Sequence, residues 1–231
     1  MTRYLFPAAV PASLPVAGRQ ERFAVARIFC VGRNYAAHAA EMGTEVDRES
    51  PFYFLKSAHA FMESGGVLPY PPGTHDLHHE IEMVVAIGAP AFRIGVDQAA
   101  QVVWGYGAGL DLTRRDLQAR AKAMQRSWDL GKNFEGSAVL SALTSAQQFQ
   151  PAGQRIHLDV NGTTRQDSVI SDMVWSIPEI IADLSLYYHL VPGDLIMTGT
   201  PAGVGAVVPG DRLTGGIAGL APVELTIGPA E

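Results

Sequence analysis

This sequence predicts a strand-dominated α+β fold, and three observations carry that expectation. Apolar runs of strand length recur between Gly, Pro, Asn and Asp turn signals, one clear amphipathic helix stands out, and no repeat or linker divides the chain. With 231 residues, 47% of them hydrophobic, a sizeable core is expected for the main body, residues 27–231. Residues 1–26, rich in Pro and Ala without a sustained period, read as an arm packed on that body.

The apolar run 28–31 reads as a buried strand, 32–34 as a turn and 35–42 as a short helix that Gly43 ends. Residues 44–50 are charged and short of apolar anchors, so they form a candidate lid before a strand at 52–56. Residues 80–88 read as a strand that opens on two glutamates and is then apolar on both faces, hence interior. Asp97 is placed to cap a short helix through Val103, and the Gly-rich stretch 104–112 follows as a strand. Thr113 and Asp116 have capping-box spacing for a helix to about Ala123, which sets Asp111 at a strand-to-helix junction. Residues 156–160 before Asn161-Gly162 predict a hairpin, and two Val-Pro-Gly-Asp turns, at 191–194 and 208–211, precede further strands. Ser176 and Glu179 form a capping box, and Ile177, Ile180, Ile181, Leu184 and Tyr188 make the apolar stripe of the one clear helix.

Charge and composition exclude several classes of function. Against 17 Lys+Arg stand 23 Asp+Glu, a net charge of -6, so no global positive field exists to draw nucleic acid or an anionic membrane. The single cysteine, Cys30, lies in an apolar run and reads as a buried thiol. Prolines 7, 11 and 15 interrupt any signal-peptide core, and no apolar run approaches the ~20 residues of a membrane span, so a cytoplasmic location is expected.

Glu80 and Glu82, two apart on a predicted strand, leave the same face as the chain turns inward. Buried together they would repel, and a divalent cation is the usual remedy. With Asp111 they make an all-oxygen set suited to Mg²⁺, Mn²⁺ or Ca²⁺, and His78, on the same face, is a further candidate ligand. Spacing alone leaves open the plainer reading of an exposed strand end and a helix-capping aspartate. No histidine follows His79-Glu80 at zincin spacing, the 105–109 glycines lack dinucleotide-fingerprint context, and 198–205 lacks the Lys of a P-loop.

Six strings, in order, resemble the fumarylacetoacetate hydrolase family, especially its short fumarylpyruvate and acylpyruvate hydrolase members. They are Val31-Gly-Arg-Asn-Tyr-Ala-Ala-His38, Phe54-Leu-Lys56, His78-His-Glu-Ile-Glu82, Gly109-Leu-Asp-Leu-Thr-Arg-Arg-Asp116, Trp128-Asp-Leu-Gly-Lys132 and Thr198-Gly-Thr-Pro-Ala-Gly-Val-Gly205. The resemblance implies a mixed β-roll or distorted barrel with short peripheral helices, and a homodimer. It implies Glu80, Glu82 and Asp111 as ligands of Mg²⁺ or Mn²⁺, His38 and Glu41 as a water-activating dyad, and Lys132 as a catalytic lysine. Helical i,i+3 spacing also sets His38 and Glu41 on one face. Arg115 and Gln118 match substrate-facing positions; Arg33 is a second cation for a diketo acid, and Thr200 a hydrogen-bond donor.

The expected activity is metal-dependent hydrolysis of the carbon–carbon bond of an acylpyruvate, with fumarylpyruvate foremost. Oxaloacetate decarboxylation, or isomerase or hydratase chemistry on the same fold, is the alternative, and a non-catalytic small-acid binding protein stands further off.

Overall fold

The structure, a computed structural model, describes residues 3, 5–7, 10–43 and 48–230. Its spine is a mixed sheet ordered Phe52–Lys56, Ile28–Gly32, Leu195–Met197, Ile81–Ile87, Val103–Asp111, Ala138–Leu140 and Phe61–Glu63, with Thr144–Ser145 added on Val103–Asp111. Leu195–Met197 runs parallel to Ile28–Gly32, with Met197 opposite Cys30, and antiparallel to Ile81–Ile87, with Met197 opposite Val84. A second sheet orders Thr163–Val169, Arg155–Val160, Arg212–Ile217, Val223–Ala230 and Gly66–Tyr70, and a small one orders Thr113–Arg114, Leu77–His79 and Gly205–Val207.

The period of two in the central strands shows why both faces had to be apolar. Phe29, Val31, Met83, Val85 and Ile87 enter the larger core together with Ile156, Leu158 and Leu213 of the second sheet. Their alternates Ile28, Cys30, Val84 and Ala86 enter a second core, which Leu14 and Val25 of the N-terminal segment cover. Ser13–Pro15 and Arg22–Ala24 pair there as a small hairpin, and Ala17 N–H donates to Leu143. Cys30 is fully buried, and burial first, then the charge of Asp111, pushes its thiol well above the ordinary range.

The predicted hairpin forms between Arg155–Val160 and Thr163–Val169, with Asn161 at φ 52° and Gly162 at φ 75°. Both Val-Pro-Gly-Asp turns close identically: Asp194 accepts from Val191 N–H at 2.9 Å and Asp211 from Val208 N–H at 2.8 Å. The helix Ile177–Tyr187 starts where its box predicts, with Glu179 Oε2 accepting from Ser176 N–H at 2.8 Å and Oγ at 2.6 Å.

Several local expectations need correction. Tyr188 lies past the helix end and is half-exposed, its ring tilted against Phe29 at 5.0 Å instead of continuing the buried stripe. The short helix at Val96–Val102 is a 3₁₀ helix capped at Gly95, whose N–H donates to Gln98 Oε1, and Asp97 sits in its first turn. Thr113 and Asp116 make no capping box. Thr113 Oγ1 donates back to Asp111 C=O, while Asp116 accepts from Thr74 Oγ1 and His75 N–H, so tertiary partners displace the local cap of the helix Arg115–Ala123. In the 44–50 segment, residues 44–47 lie outside those described. Arg48, just beyond, donates to Val174 C=O and pairs with Glu179 at 3.1 Å.

Candidate active site

The strand at 80–88 begins one residue later than its pattern suggests, at Ile81, so Glu80 stands at the break between Leu77–His79 and Ile81–Ile87. Asp111 ends Val103–Asp111, antiparallel to Ile81–Ile87, and its N–H donates to Glu80 C=O. That register brings Glu80, Glu82 and Asp111 together, all buried, each with one carboxylate oxygen within 4.8 Å of the others'. The glycines opposite make this close packing feasible: a Cβ on Gly109, paired with Glu82, would meet Leu140 at 2.7 Å and Val84 at 2.9 Å.

Three buried cations surround the trio. Arg115 reaches Glu80 Oε1 at 2.5 Å, Lys132 reaches Glu80 Oε2 and Asp111 Oδ2 at 2.7 Å each, and Lys56 lies 2.8 Å from Asp111 Oδ1. Burial works against ionisation of Glu80, but Lys132 and then Arg115 outweigh it and hold its carboxyl far below the usual range. Lys132 is likewise raised: burial opposes its charge, and Asp111 and Glu80 more than offset that.

Glu82 is the odd member. Its recorded partner among the described residues is Gly199 N–H, at 2.8 Å, and no side-chain cation pairs with it. Burial first, then the charges of Asp111 and Glu80, push its carboxyl well above the ordinary range. Asp111 Oδ1 is buried without a hydrogen bond, because the approach of Lys56 is close but not aligned for one. Three hard oxygen donors, one of them unbonded and another short of positive charge, fit a divalent cation. His78 is not of this set. Its Nε2 turns to Asp76, 2.9 Å away, and it does not join the three carboxylates, which corrects its candidacy as a ligand.

The helix Ala36–Glu41 carries the predicted dyad onto the same cleft. His38 is buried, its Nδ1 lies 3.2 Å from Glu41 Oε2, and Glu41 also accepts from Gly203 N–H at 3.1 Å. The carboxylate therefore joins the helix to the 198–205 loop and fixes the imidazole ring. Asn34 anchors the turn before this helix, donating to Trp175 and Thr198 carbonyls and accepting from Trp175 N–H. Gly199, at φ 93°, is required where that loop passes: a Cβ would stand 2.7 Å from Asn34 Cβ.

Thr200 lines the cleft, and a residue that sequence reasoning missed sets its polarity. Gln166, fully buried, accepts through Oε1 from Ile81 N–H at 3.0 Å and donates through Nε2 to Pro201 C=O at 2.8 Å, two backbone partners that fix its amide orientation. Nε2 also donates to Thr200 Oγ1 at 2.8 Å, so the threonine hydroxyl is left to donate elsewhere. His79 Nδ1, 3.0 Å from the same Oε1, must then be the protonated nitrogen. No sequence signal marks Gln166, which sits in a polar strand whose neighbours are exposed.

The cleft thus brings together Arg33, His38, Glu80, Glu82, Asp111, Arg115, Gln118, Lys132 and Thr200, with Glu41 behind His38. Arg115 and Gln118 are coupled to each other at 2.7 Å, which makes the arginine part of the carboxylate scaffold. Sequence reasoning assigned no part to Lys56 or Lys122. A lysine closing the apolar strand Phe52–Lys56 was the signal available for the first.

Comparison with known proteins agrees with this geometry. The fumarylacetoacetate (FAA) hydrolase C-terminal family model matches residues 27–228. A fumarylpyruvate hydrolase of a Ralstonia species is 51% identical over 192 residues, covering 82% of this chain and 100% of the relative. The mitochondrial oxaloacetate tautomerase of Arabidopsis thaliana is 40% identical over 202 residues, covering 87% and 90%. Among solved structures, the fumarylpyruvate hydrolase of Pseudomonas aeruginosa in complex with Mn²⁺ and pyruvate superimposes with a TM-score of 0.95 at 45% identity, covering 98% of this chain and 100% of that one. With its strand-dominated α+β architecture, its buried carboxylate trio and these matches, the chain belongs to the fumarylacetoacetate hydrolase family.

Proposed function

We propose that this enzyme hydrolyses fumarylpyruvate to fumarate and pyruvate. The observation that carries the reading is one cleft in which a buried three-carboxylate cation site faces a His–Glu pair, in a chain 51% identical to a fumarylpyruvate hydrolase. Glu80, Glu82 and Asp111 would hold a divalent ion, Mg²⁺ by our reading, which when bound supplies Lewis acidity at the pyruvyl end of the substrate.

The chain's own groups account for the remainder of the reaction. Glu41 orients His38, which takes a proton from water as the water oxygen attacks the carbonyl carbon of the acyl group. The bond between that carbon and the adjacent methylene breaks, its electron pair passes to the pyruvyl fragment, and a proton returns to the methylene carbon. Lys132 lies beside the carboxylates, where it offsets negative charge developing on that fragment, and the Thr200 hydroxyl is free to donate to a substrate oxygen. A homodimer belongs to the same reading, since Leu186, Tyr187 and Val191 are exposed apolar side chains that a second copy would cover.

The Arabidopsis relative favours a second reading, oxaloacetate tautomerisation, which needs the cation site but no attacking water. Turnover of fumarylpyruvate, acetylpyruvate and oxaloacetate, with and without a chelator, separates the two. Hydrolysis that stops on chelation and returns with Mg²⁺ or Mn²⁺ is expected; conversion of oxaloacetate alone would defeat the hydrolase reading. His38→Ala should lower hydrolysis by about 10²- to 10⁴-fold while divalent-ion binding survives.

A further inference from the structure

Every buried cation at the inner end of the cleft is spoken for: Arg115 by Glu80, Lys132 by Glu80 and Asp111, Lys56 by Asp111. Two further cations line the same cleft, Arg33 and Lys122, and among the described residues neither side chain is recorded in an ion pair or a hydrogen bond. Their recorded partners are aromatic. Arg33 lies over Phe52 with its guanidinium carbon 5.9 Å from the ring centre, and Lys122 lies over Trp128 at 4.9 Å. Phe52 and Trp128 in turn pack on each other at 4.8 Å. Arg33 thus rests on one ring of a packed pair and Lys122 on the other, which sets both cations beside that pair at the mouth.

The helix Arg115–Ala123 gives this arrangement its direction. Arg115, Gln118 and Lys122, at i, i+3 and i+7, share one face, and burial decreases along it from Arg115 and Gln118 to Lys122. Lys122 therefore stands about 10 Å further out along the helix axis than Arg115. Burial, then the neighbouring charges of Arg115 and Arg33, lower the pKa of Lys122, and the more distant charge of Glu80 offsets this only in part. Beyond them the cleft opens into a hollow of about 630 Å³ that Arg33, Lys122 and Trp128 also line, so a longer acyl group has room there.

We propose that Arg33 and Lys122 form the receptor for a second carboxylate, at the far end of the acyl chain, and so select acylpyruvates that are diacids over those with a neutral acyl end. This rests on the hydrolase reading above and deepens it. A planar guanidinium and a compact ammonium, each resting on one of two packed rings, accept one carboxylate between them, and a neutral acyl end leaves them repelling each other.

The test compares kcat/KM for fumarylpyruvate, which has the far carboxylate, with that for acetylpyruvate, which lacks it, using Mn²⁺-loaded protein. Lys122→Met is expected to shift the ratio against fumarylpyruvate by on the order of 10- to 100-fold, chiefly through KM, with Lys122→Arg restoring most of the preference. Adding Arg33→Gln to Lys122→Met should lower the ratio again, and thermal melts report whether each variant folds. Equal losses on both substrates, or an unaltered ratio in a folded Lys122→Met protein, would overturn the receptor. If the unsubstituted protein turns over neither substrate, the hydrolase reading itself falls and the receptor with it.

Discussion

At the inner end of the cleft three cations pair with two of the three carboxylates, Glu80 and Asp111, whereas at its mouth two cations face aromatic rings. The residue types are alike and their commitments are opposite. Burial explains the difference: Glu80, Asp111, Lys56 and Lys132 are almost wholly removed from water and cannot stay charged without one another, while Arg33 and Lys122 keep contact with solvent and can wait for a ligand. Sequence motifs therefore mark cations without saying which are structural. Arg115 matched a substrate position, yet its bonds to Glu80 and Gln118 make it first a part of the carboxylate scaffold.

The largest expected effect breaks the inner balance. Asp111→Asn removes one charge from between Lys56 and Lys132, and in urea melts of chelated protein it should cost about 3–5 kcal/mol. Calorimetric titration with Mn²⁺ should show binding lost as well, and a stability within about 1 kcal/mol of the parent would show that the inner charges do not depend on one another.

Gln166→Leu acts on the wall between strand and loop. It leaves Ile81 N–H and Pro201 C=O buried without partners, at about 2 kcal/mol of stability, and releases the Thr200 hydroxyl from its fixed role. Hydrolysis should fall along with stability. A Gln166→Leu protein with undiminished kcat would show that the direction of Thr200 does not matter.

The smallest effect lies away from the cleft and serves as its contrast. Hydrogen bonds from Ser176 Oγ and N–H depress the pKa of Glu179, so its contribution is complete above the unfolded carboxyl pKa, about 4.3, and fades as pH falls through the folded value. Glu179→Gln should cost about 0.5–1 kcal/mol at neutral pH, and the two melting curves should converge in acid. A constant gap between them down to low pH would show that the cap does not depend on the ionised carboxylate.

Much of this was legible in the chain because it depends on local pattern. The strands at 28–31 and 52–56, the hairpin at Asn161-Gly162, both Pro-Gly-Asp turns and the helix at 177–187 follow from periodicity and turn chemistry. Glu80, Glu82, Asp111, His38 and Glu41 stood out through spacing and motif, and the fold gathers them. What failed locally failed where distant partners outbid a neighbour: Asp116 takes Thr74 and His75 in place of a capping box, and His78 takes Asp76 in place of the carboxylate set.

By itself, then, the sequence determined the strand-rich framework and the residue types of the chemistry, since strand periodicity, turn residues and carboxylate spacing act over a few positions. Tertiary structure alone decided which carboxylate lacks a cation, which lysine is structural, how Gln166 aims Thr200, and why Lys122 faces open space. These depend on the order of strands and on burial, which bring together groups as far apart in the chain as Glu82 and Gly199.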